Sequence, residues 1–385
     1  MEKKTIIYIG GFELPDKNAA AHRVLNNGKV LEKLGYNIVF IDCDRTLKWG
    51  TDWKDTLKNV QGFECYSVPY PSNNIENFNY FYSIKNLVDI IKLYQNVESV
   101  ICYNYQSAAL LRLMRFGKKN NIKIIADSTE GYELSFSKNF VKTAKAIDDY
   151  IRIKYLQPNL DGVIVISSFL YNYYSQVKNK IRIPPLVDKK EGKWAPIIEG
   201  EVKSPKLNLI YSGNMGSSKD KIDKIIQFIA TRKLQYEINF KIIGISKDEY
   251  IGKYPDQKSI IKKMEHSIHF MGKVSHSVAL EHLKKSDFLI FFRDINLVSS
   301  MGFPTKFVEG ISAGVPIITN LSSDIEEYLI DGKNGFAVSE SVLEDLERIF
   351  EMPLSELKDI KNTVENSLFD YKNFISPMKG FIDSL

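Results

Sequence analysis

The chain has 385 residues, 44% of them hydrophobic, 26% charged and 12% aromatic, which is more than one hydrophobic core usually holds, so two domains are expected. This composition excludes a mainly disordered chain and a membrane-embedded one, and no stretch approaches the ~20 apolar residues of a membrane span. The net charge is +5, yet residues 1–185 carry 25 basic against 18 acidic side chains and residues 186–385 carry 27 against 29, so the basic excess belongs to the first half.

Residues 5–9 read as the first strand, because the apolar run after Lys3-Lys4 is far too short for a secretory signal. Residues 19–34 follow as a helix, with Val24, Leu31 and Leu34 near one face and Gly35 as the residue that ends it. Further β-branched runs at 37–42, 99–103, 122–127 and 162–167 complete a first set of strands, and 207–211, 239–243, 268–271, 288–292, 316–319 and 336–338 form a second set. Strands separated by helical segments predict parallel sheets with crossover helices. The break lies at Ile183-Pro184-Pro185-Leu186-Val187-Asp188 and the polar stretch after it. The expected layout is an α/β protein of two Rossmann-like doubly wound domains facing each other across a cleft. Residues 1–188 form the first domain, 189–204 the linker, 205–365 the second domain, and 366–385 a C-terminal helix that could cross back to the first. Cys43, Cys65 and Cys102 are odd in number and have no CxxC spacing, so a disulfide framework and a thiolate metal site are both disfavoured and a reducing, cytoplasmic compartment fits.

Ligands of doubly wound sheets bind beyond the carboxyl ends of the strands, which directs attention to four segments. After the first strand, Gly10-Gly11 lets a ligand approach backbone amides, although the spacing of a dinucleotide fingerprint is absent. The loop from Tyr211 through Ser212, Gly213 and Asn214 to Lys219 and Asp220 joins glycines, capping hydroxyls, a helix start and a lysine, a combination suited to phosphate, though it is not a Walker loop. In the segment 301–320, Pro304 and Thr305 read as a helix start, so the amides of Gly302, Phe303 and Lys306 can meet an anion. Glu309 lies one turn further on the face of Thr305, where a carboxylate can accept from vicinal hydroxyls; otherwise it is a solvated glutamate on a core helix. In the first half, Asp127 and Glu130 end a strand and would face the cleft, with loop capping as the plain reading.

The run Gly302-Phe303-Pro304-Thr305-Lys306-Phe307-Val308-Glu309 followed by Ser312-Ala313-Gly314-Val315-Pro316 resembles the donor-site segment of retaining glycosyltransferases of family 4, which have the GT-B fold. The resemblance extends through the Lys219 loop, Gly272-Lys273-Val274, Arg293-Asp294 and Asp331-Gly332-Lys333-Asn334-Gly335, covering nearly all of 205–340, and is thinner before that. It implies that a nucleotide-sugar donor lies mostly on the second domain and the acceptor on the first. By that resemblance Glu309 holds the ribose, Lys219 meets the diphosphate, and Gly272 to Val274 meet the base. Two departures stand out: Met301 occupies the position where the family often has a glutamate, and the phosphate loop lacks an arginine, for which Arg293 or Lys306 could substitute. Catalysis of this kind asks mainly for positive groups at the leaving diphosphate, so no metal or other cofactor is expected.

The implied activity is retaining transfer from a nucleotide-sugar, taken as UDP-linked, to a glycan or lipid-linked glycan in cell-surface polysaccharide synthesis. A non-catalytic GT-B subunit that binds glycan or a partner transferase is the alternative, and a sugar-nucleotide epimerase a further one. His266, His269, His276 and His282 cluster in sequence without the partners of a zinc site. The cations Arg112, Arg115, Lys118 and Lys119, and the set Lys138, Lys142 and Lys145, alternate with apolar residues, a pattern that fits contact of the first domain with an anionic membrane from the cytoplasmic side and equally fits ordinary crossover helices. No nucleic-acid motif accompanies the charge.

Overall fold

The structure, a computed structural model, describes residues 3–131, 140–195, 205–213, 220–339 and 341–385, and the side chains of 140–142 are outside the description. The chain divides into two compact units: the first runs to Val187 and includes Ser300–Phe303 and Tyr371–Leu385, and the second comprises Asp188–Ser299 and Pro304–Asp370.

The first unit contains, in order, β1 (Thr5–Gly10), α1 (Ala19–Lys33), β2 (Asn37–Asp44), β3 (Lys58–Val60), β4 (Phe63–Pro69), α2 (Asn74–Tyr82), α3 (Lys85–Ile91), β5 (Val97–Tyr103), α4 (Ser107–Asn120), β6 (Lys123–Ser128), α5 (Phe140–Ile151), β7 (Gly162–Val165), α6 (Ser168–Tyr173) and β8 (Lys180–Arg182). Its sheet order is β3-β4-β2-β1-β5-β6-β7-β8, with only the short β3 pairing antiparallel. The continuous apolar run of β1 is needed because both faces are covered. Ile6 and Tyr8 pack with Val24, Leu25 and Leu31 of α1, while Ile7 and Ile9 pack with Ile90 of α3 and Leu110 and Leu113 of α4. Asn18 caps α1, its Oδ1 accepting from Ala21 N at 2.8 Å, and Gly35 ends it with φ +96°, a conformation that favours glycine. The strand expected at 162–167 stops at Val165, because Ser167 instead caps α6, its Oγ accepting from Leu170 N at 3.3 Å.

The second unit contains β9 (Lys206–Ser212), α7 (Ile222–Thr231), β10 (Glu237–Ile243), α8 (Lys247–Lys253), α9 (Lys258–Lys263), β11 (Ile268–Gly272), α10 (His276–Lys284), β12 (Phe288–Phe291), α11 (Leu297–Met301), α12 (Thr305–Ser312), β13 (Ile317–Asn320), β14 (Gly335–Val338), α13 (Val342–Phe350) and α14 (Leu354–Asp359), α11 running on into the segment assigned to the first unit. The sheet is parallel throughout in the order β11-β10-β9-β12-β13-β14, so the direction of winding reverses between β9 and β12. That is the Rossmann order, and the reversal is where such sheets bind ligands. Finally α15 (Ile375–Asp383) returns to the first unit, burying Met378 and Phe381 in the core beneath α1. No helix among the described residues is long and apolar enough to cross a membrane.

Candidate active site

At the reversal point of the second sheet, β9 ends at Ser212 with Gly213 following, and β12 leads into Arg293. Between them Asp220 forms an isolated bridge with Arg293. The Asp220 carboxylate, almost fully buried, accepts from Tyr211 OH at 2.7 Å and from Lys306 Nζ of α12. Arg293 Nε stands 3.6 Å from the other carboxylate oxygen. Both of those atoms are buried and make no hydrogen bond among the described residues. Two cations therefore share one carboxylate, which leaves the cluster one positive charge in excess. Burial pushes Lys306 below its ordinary pKa against the pull of Asp220, and Arg293 adds to the depression. Burial and Asp220 together push the Tyr211 phenol upward. Gly213 makes room for this cluster: a Cβ there would lie 2.2 Å from Lys306 Cε and 2.6 Å from its Nζ.

Pro304 occupies the N-cap position of α12, and Thr305 is its first residue. The helix turns Phe307, Val308 and Ile311 into the core, and Gly310 allows it close to the sheet, since a Cβ would meet Ile317 and Leu289 at 2.9 Å. Glu309 is left on the partly open side, its carboxylate 28% exposed and 3.2 Å from His276 Nε2 at the start of α10. Gly272 ends β11 with φ +64°, its N–H donating to Ile245 O and its carbonyl accepting from Gly244 N, and Val274 lies half-buried two residues on. Gly302 and Phe303 belong with the first unit and Phe303 is buried. Asn214 and Lys219 lie outside the described residues, as do Lys138 and the side chain of Lys142.

In the first unit, Asp127 does not face an opening. It is completely buried and holds Arg23 through Nε and Nη2 at 2.9 and 2.7 Å, with Tyr8 OH donating to its other oxygen. Burial opposes charge on Arg23, but Asp127 outweighs it and holds the arginine above its ordinary value. Arg23 Nη1 also donates to Ile183 O at 2.7 Å, tying α1 to the segment that ends the unit. The expectation of an acceptor-facing Asp127 is thus corrected: a charge buried to this degree needs a partner, and here it has one. Glu130, three residues on, is exposed. Gly10 is glycine for packing, as a Cβ would lie 2.4 Å from Tyr103 O, whereas Gly11 is exposed with open space around its Cβ position.

Residues 206–351 match the family model of glycosyl transferases group 1. This segment contains the Asp220, Lys306 and Arg293 cluster together with Glu309. The structure is similar to a glycosyltransferase from Rickettsia africae, with TM-score 0.67, 18% identity and coverage of 100% of this chain and 99% of that one. It is similar to the catalytic domain of starch synthase IV from Arabidopsis thaliana bound to ADP and acarbose, with TM-score 0.69, 12% identity and coverage of 100% and 99%. It is also similar to HepE of Anabaena in complex with UDP, with TM-score 0.66, 12% identity and coverage of 99% and 100%. The fold, two Rossmann-like domains, matches that of GT-B glycosyltransferase structures. No curated protein matches the sequence.

Sequence reasoning missed three groups in this segment, residues 206–351. The sequence marks Asp220 only as the end of a loop, Tyr211 only as the end of a strand, and His276 only as one of a histidine cluster. An acid beside a lysine at a helix entry is the one signal that could have marked Asp220. Among the described residues no set of three or more His, Cys, Asp or Glu side chains converges as a metal site. The first unit carries a cavity of about 810 Å³ at the carboxyl ends of β1, β2 and β4, lined by Gly10, Trp49, Trp53, Tyr80, Tyr105 and Gln106 among others, a volume within the usual range of ligand pockets.

Proposed function

We propose that this glycosyltransferase moves a sugar with retention from a UDP-sugar to a glycan or lipid-linked glycan acceptor in the synthesis of a cell-surface polysaccharide, in the cytoplasm and without a metal ion. The observation that carries the reading is the buried Asp220 with its two cations, Lys306 and Arg293, at the reversal point of the second sheet. A diphosphate would neutralise the excess positive charge, and the same groups would stabilise the charge that grows on it as the glycosidic bond breaks. Glu309 offers a carboxylate for ribose hydroxyls, oriented by His276. With retention, the acceptor hydroxyl attacks the face the diphosphate leaves, and the departing phosphate takes its proton, so no protein nucleophile is required. The aromatic cavity of the first unit suits the acceptor, since Trp and Tyr rings offer apolar faces to sugars alongside polar edges. UDP is favoured over ADP by analogy with the HepE complex alone.

Titration calorimetry with uridine, guanosine and adenosine diphosphates tests the first step, and mass spectrometry of products from a panel of UDP-sugars with chelator present tests the second. Heat with uridine diphosphate and product in chelator are expected. Absence of heat with every diphosphate refutes donor binding, and turnover that requires added magnesium or manganese refutes metal independence. One observation favours a non-catalytic GT-B subunit instead: the buried thioether of Met301, which a Cβ on Gly131 would meet at 1.4 Å, occupies the position of the family's acid. Nucleotide binding without any product would support that second reading.

A further inference from the structure

The helix α2 is unusual in having no buried residue along its nine positions. Ile75, Phe78 and Tyr82 are 77%, 69% and 49% exposed and recur at i, i+3 and i+7, so they share one face. The opposite side is fixed: Tyr80 OH lies 2.9 Å from Cys43 Sγ, and Tyr80 lines the cavity of the first unit. Phe78 and Tyr82 stack at 6.0 Å, which stiffens the outward face. A soluble helix normally buries an apolar stripe, whereas this one presents it to solvent.

The neighbours of α2 supply the charge. Helix α4 packs against α2 on one side and α5 on the other. Its 14 residues include Arg112, Arg115, Lys118 and Lys119 and no acid. The Arg112 guanidinium lies 4.1 Å over the Tyr82 ring, so cation and aromatic meet at the seam. On α5 and just beyond it, Ile147, Ile151 and Tyr155 are exposed, and Lys145 and Lys154 are exposed beside them. The one acid of α2, Glu76, is folded back to accept from Ser72 at 2.7 Å.

We infer that this helical face of the first unit docks on an anionic lipid bilayer, with Ile75, Phe78 and Tyr82 of α2 entering the interfacial layer and the cations of α4 meeting the headgroups. Exposed aliphatic and aromatic side chains flanked by arginine and lysine match the two layers of such a surface, the apolar boundary and the anionic headgroups. A second copy of the chain fits less well, because a two-fold pairing through this face would bring the acid-free α4 helices of both copies together. The inference goes beyond the transfer reading and does not depend on it, since lipid binding and nucleotide binding are measured separately. It also gives α2 a consequence for the cavity: the helix whose outer face enters the bilayer is the one whose inner face lines the pocket.

The test is flotation of the full chain with vesicles of phosphatidylcholine, with and without phosphatidylglycerol, at low and at raised salt. Binding is expected only with phosphatidylglycerol and should weaken as salt rises. The double variant Ile75→Glu with Phe78→Glu should lose at least tenfold in bound fraction at limiting lipid while keeping the melting temperature, because neither side chain is buried. Reversal of Arg115 and Lys118 to glutamate should weaken binding by about fivefold or more per residue. Calorimetry with uridine diphosphate, run on the same samples, should be unchanged by either set. Absence of flotation on anionic vesicles at low salt overturns the inference, as does binding that neither set of substitutions reduces. A dimer in solution that Ile75→Glu with Phe78→Glu dissociates, without any flotation, would assign the face to a second copy and equally overturn it.

Discussion

Replacing Asp127 with alanine separates a structural carboxylate from one that serves an acceptor. In the wild type, Asp127 accepts from Arg23 Nε at 2.9 Å and Nη2 at 2.7 Å, from Tyr8 OH at 2.5 Å and, more distantly, from Asn27 Nδ2 at 3.4 Å. The side chains of Arg23 and Asp127 are 3% and 0% exposed. Removing one partner of such a pair leaves a guanidinium charge buried without compensation, which costs about 3–5 kcal/mol. Arg23 keeps the carbonyl of Ile183, so the lower part of that range is expected. Urea denaturation followed by tyrosine and tryptophan fluorescence would read the loss, with the first unit's transition analysed on its own because two units need not unfold together. The double variant Arg23→Met with Asp127→Leu should recover most of the loss, since it removes both charges at once. A loss below about 1 kcal/mol for Asp127→Ala, with acceptor kinetics impaired, would refute this reasoning and return Asp127 to the acceptor site.

Gly213→Ala should lower affinity for uridine diphosphate about tenfold or more while changing the melting temperature little, because the new Cβ would lie 2.2 Å from Lys306 Cε and must displace a flexible side chain; calorimetry and a thermal scan check the two parts. Glu309→Gln should cost about 1.5–3 kcal/mol of nucleotide affinity, the worth of a hydrogen bond to a charged group, and leave stability near wild type, since the carboxylate is 28% exposed. Unfolding of that variant with affinity intact would mark Glu309 as structural. Lys306 is depressed by burial, so its charge is lost as pH rises through a value below the usual lysine range. Affinity for the diphosphate should therefore fall at alkaline pH earlier than an ordinary lysine would allow, and Lys306→Arg should remove that fall.

Periodicity and punctuation in the sequence determined much of the fold. The strands from residues 5, 37, 99 and 122, and all six of the second unit, are legible because a sheet covered on both faces demands unbroken β-branched runs. Gly35 and Pro304 marked a helix end and a helix start for local conformational reasons that need no tertiary partner. The edge strands β3 and β8, three residues each, were not legible, nor was β4, where Glu64 and Ser67 interrupt the apolar run. Nor was α2, since a helix that buries nothing has no inward stripe to find.

The candidate site divides in the same way. The loops proposed for phosphate, and Glu309, follow from the rule that ligands lie beyond the carboxyl ends of strands, which depends on chain order alone. The partnerships depend on distance in space: Asp127 with Arg23 is 104 residues apart in sequence, and Lys306 with Asp220 is 86. Before folding, each of these side chains is an isolated charge with several possible partners, and a carboxylate for an acceptor has the same composition as one for a buried arginine. Only packing removes the water and leaves one partner within reach, which is why tertiary structure made Asp127 a strut and Asp220 the anchor of two cations.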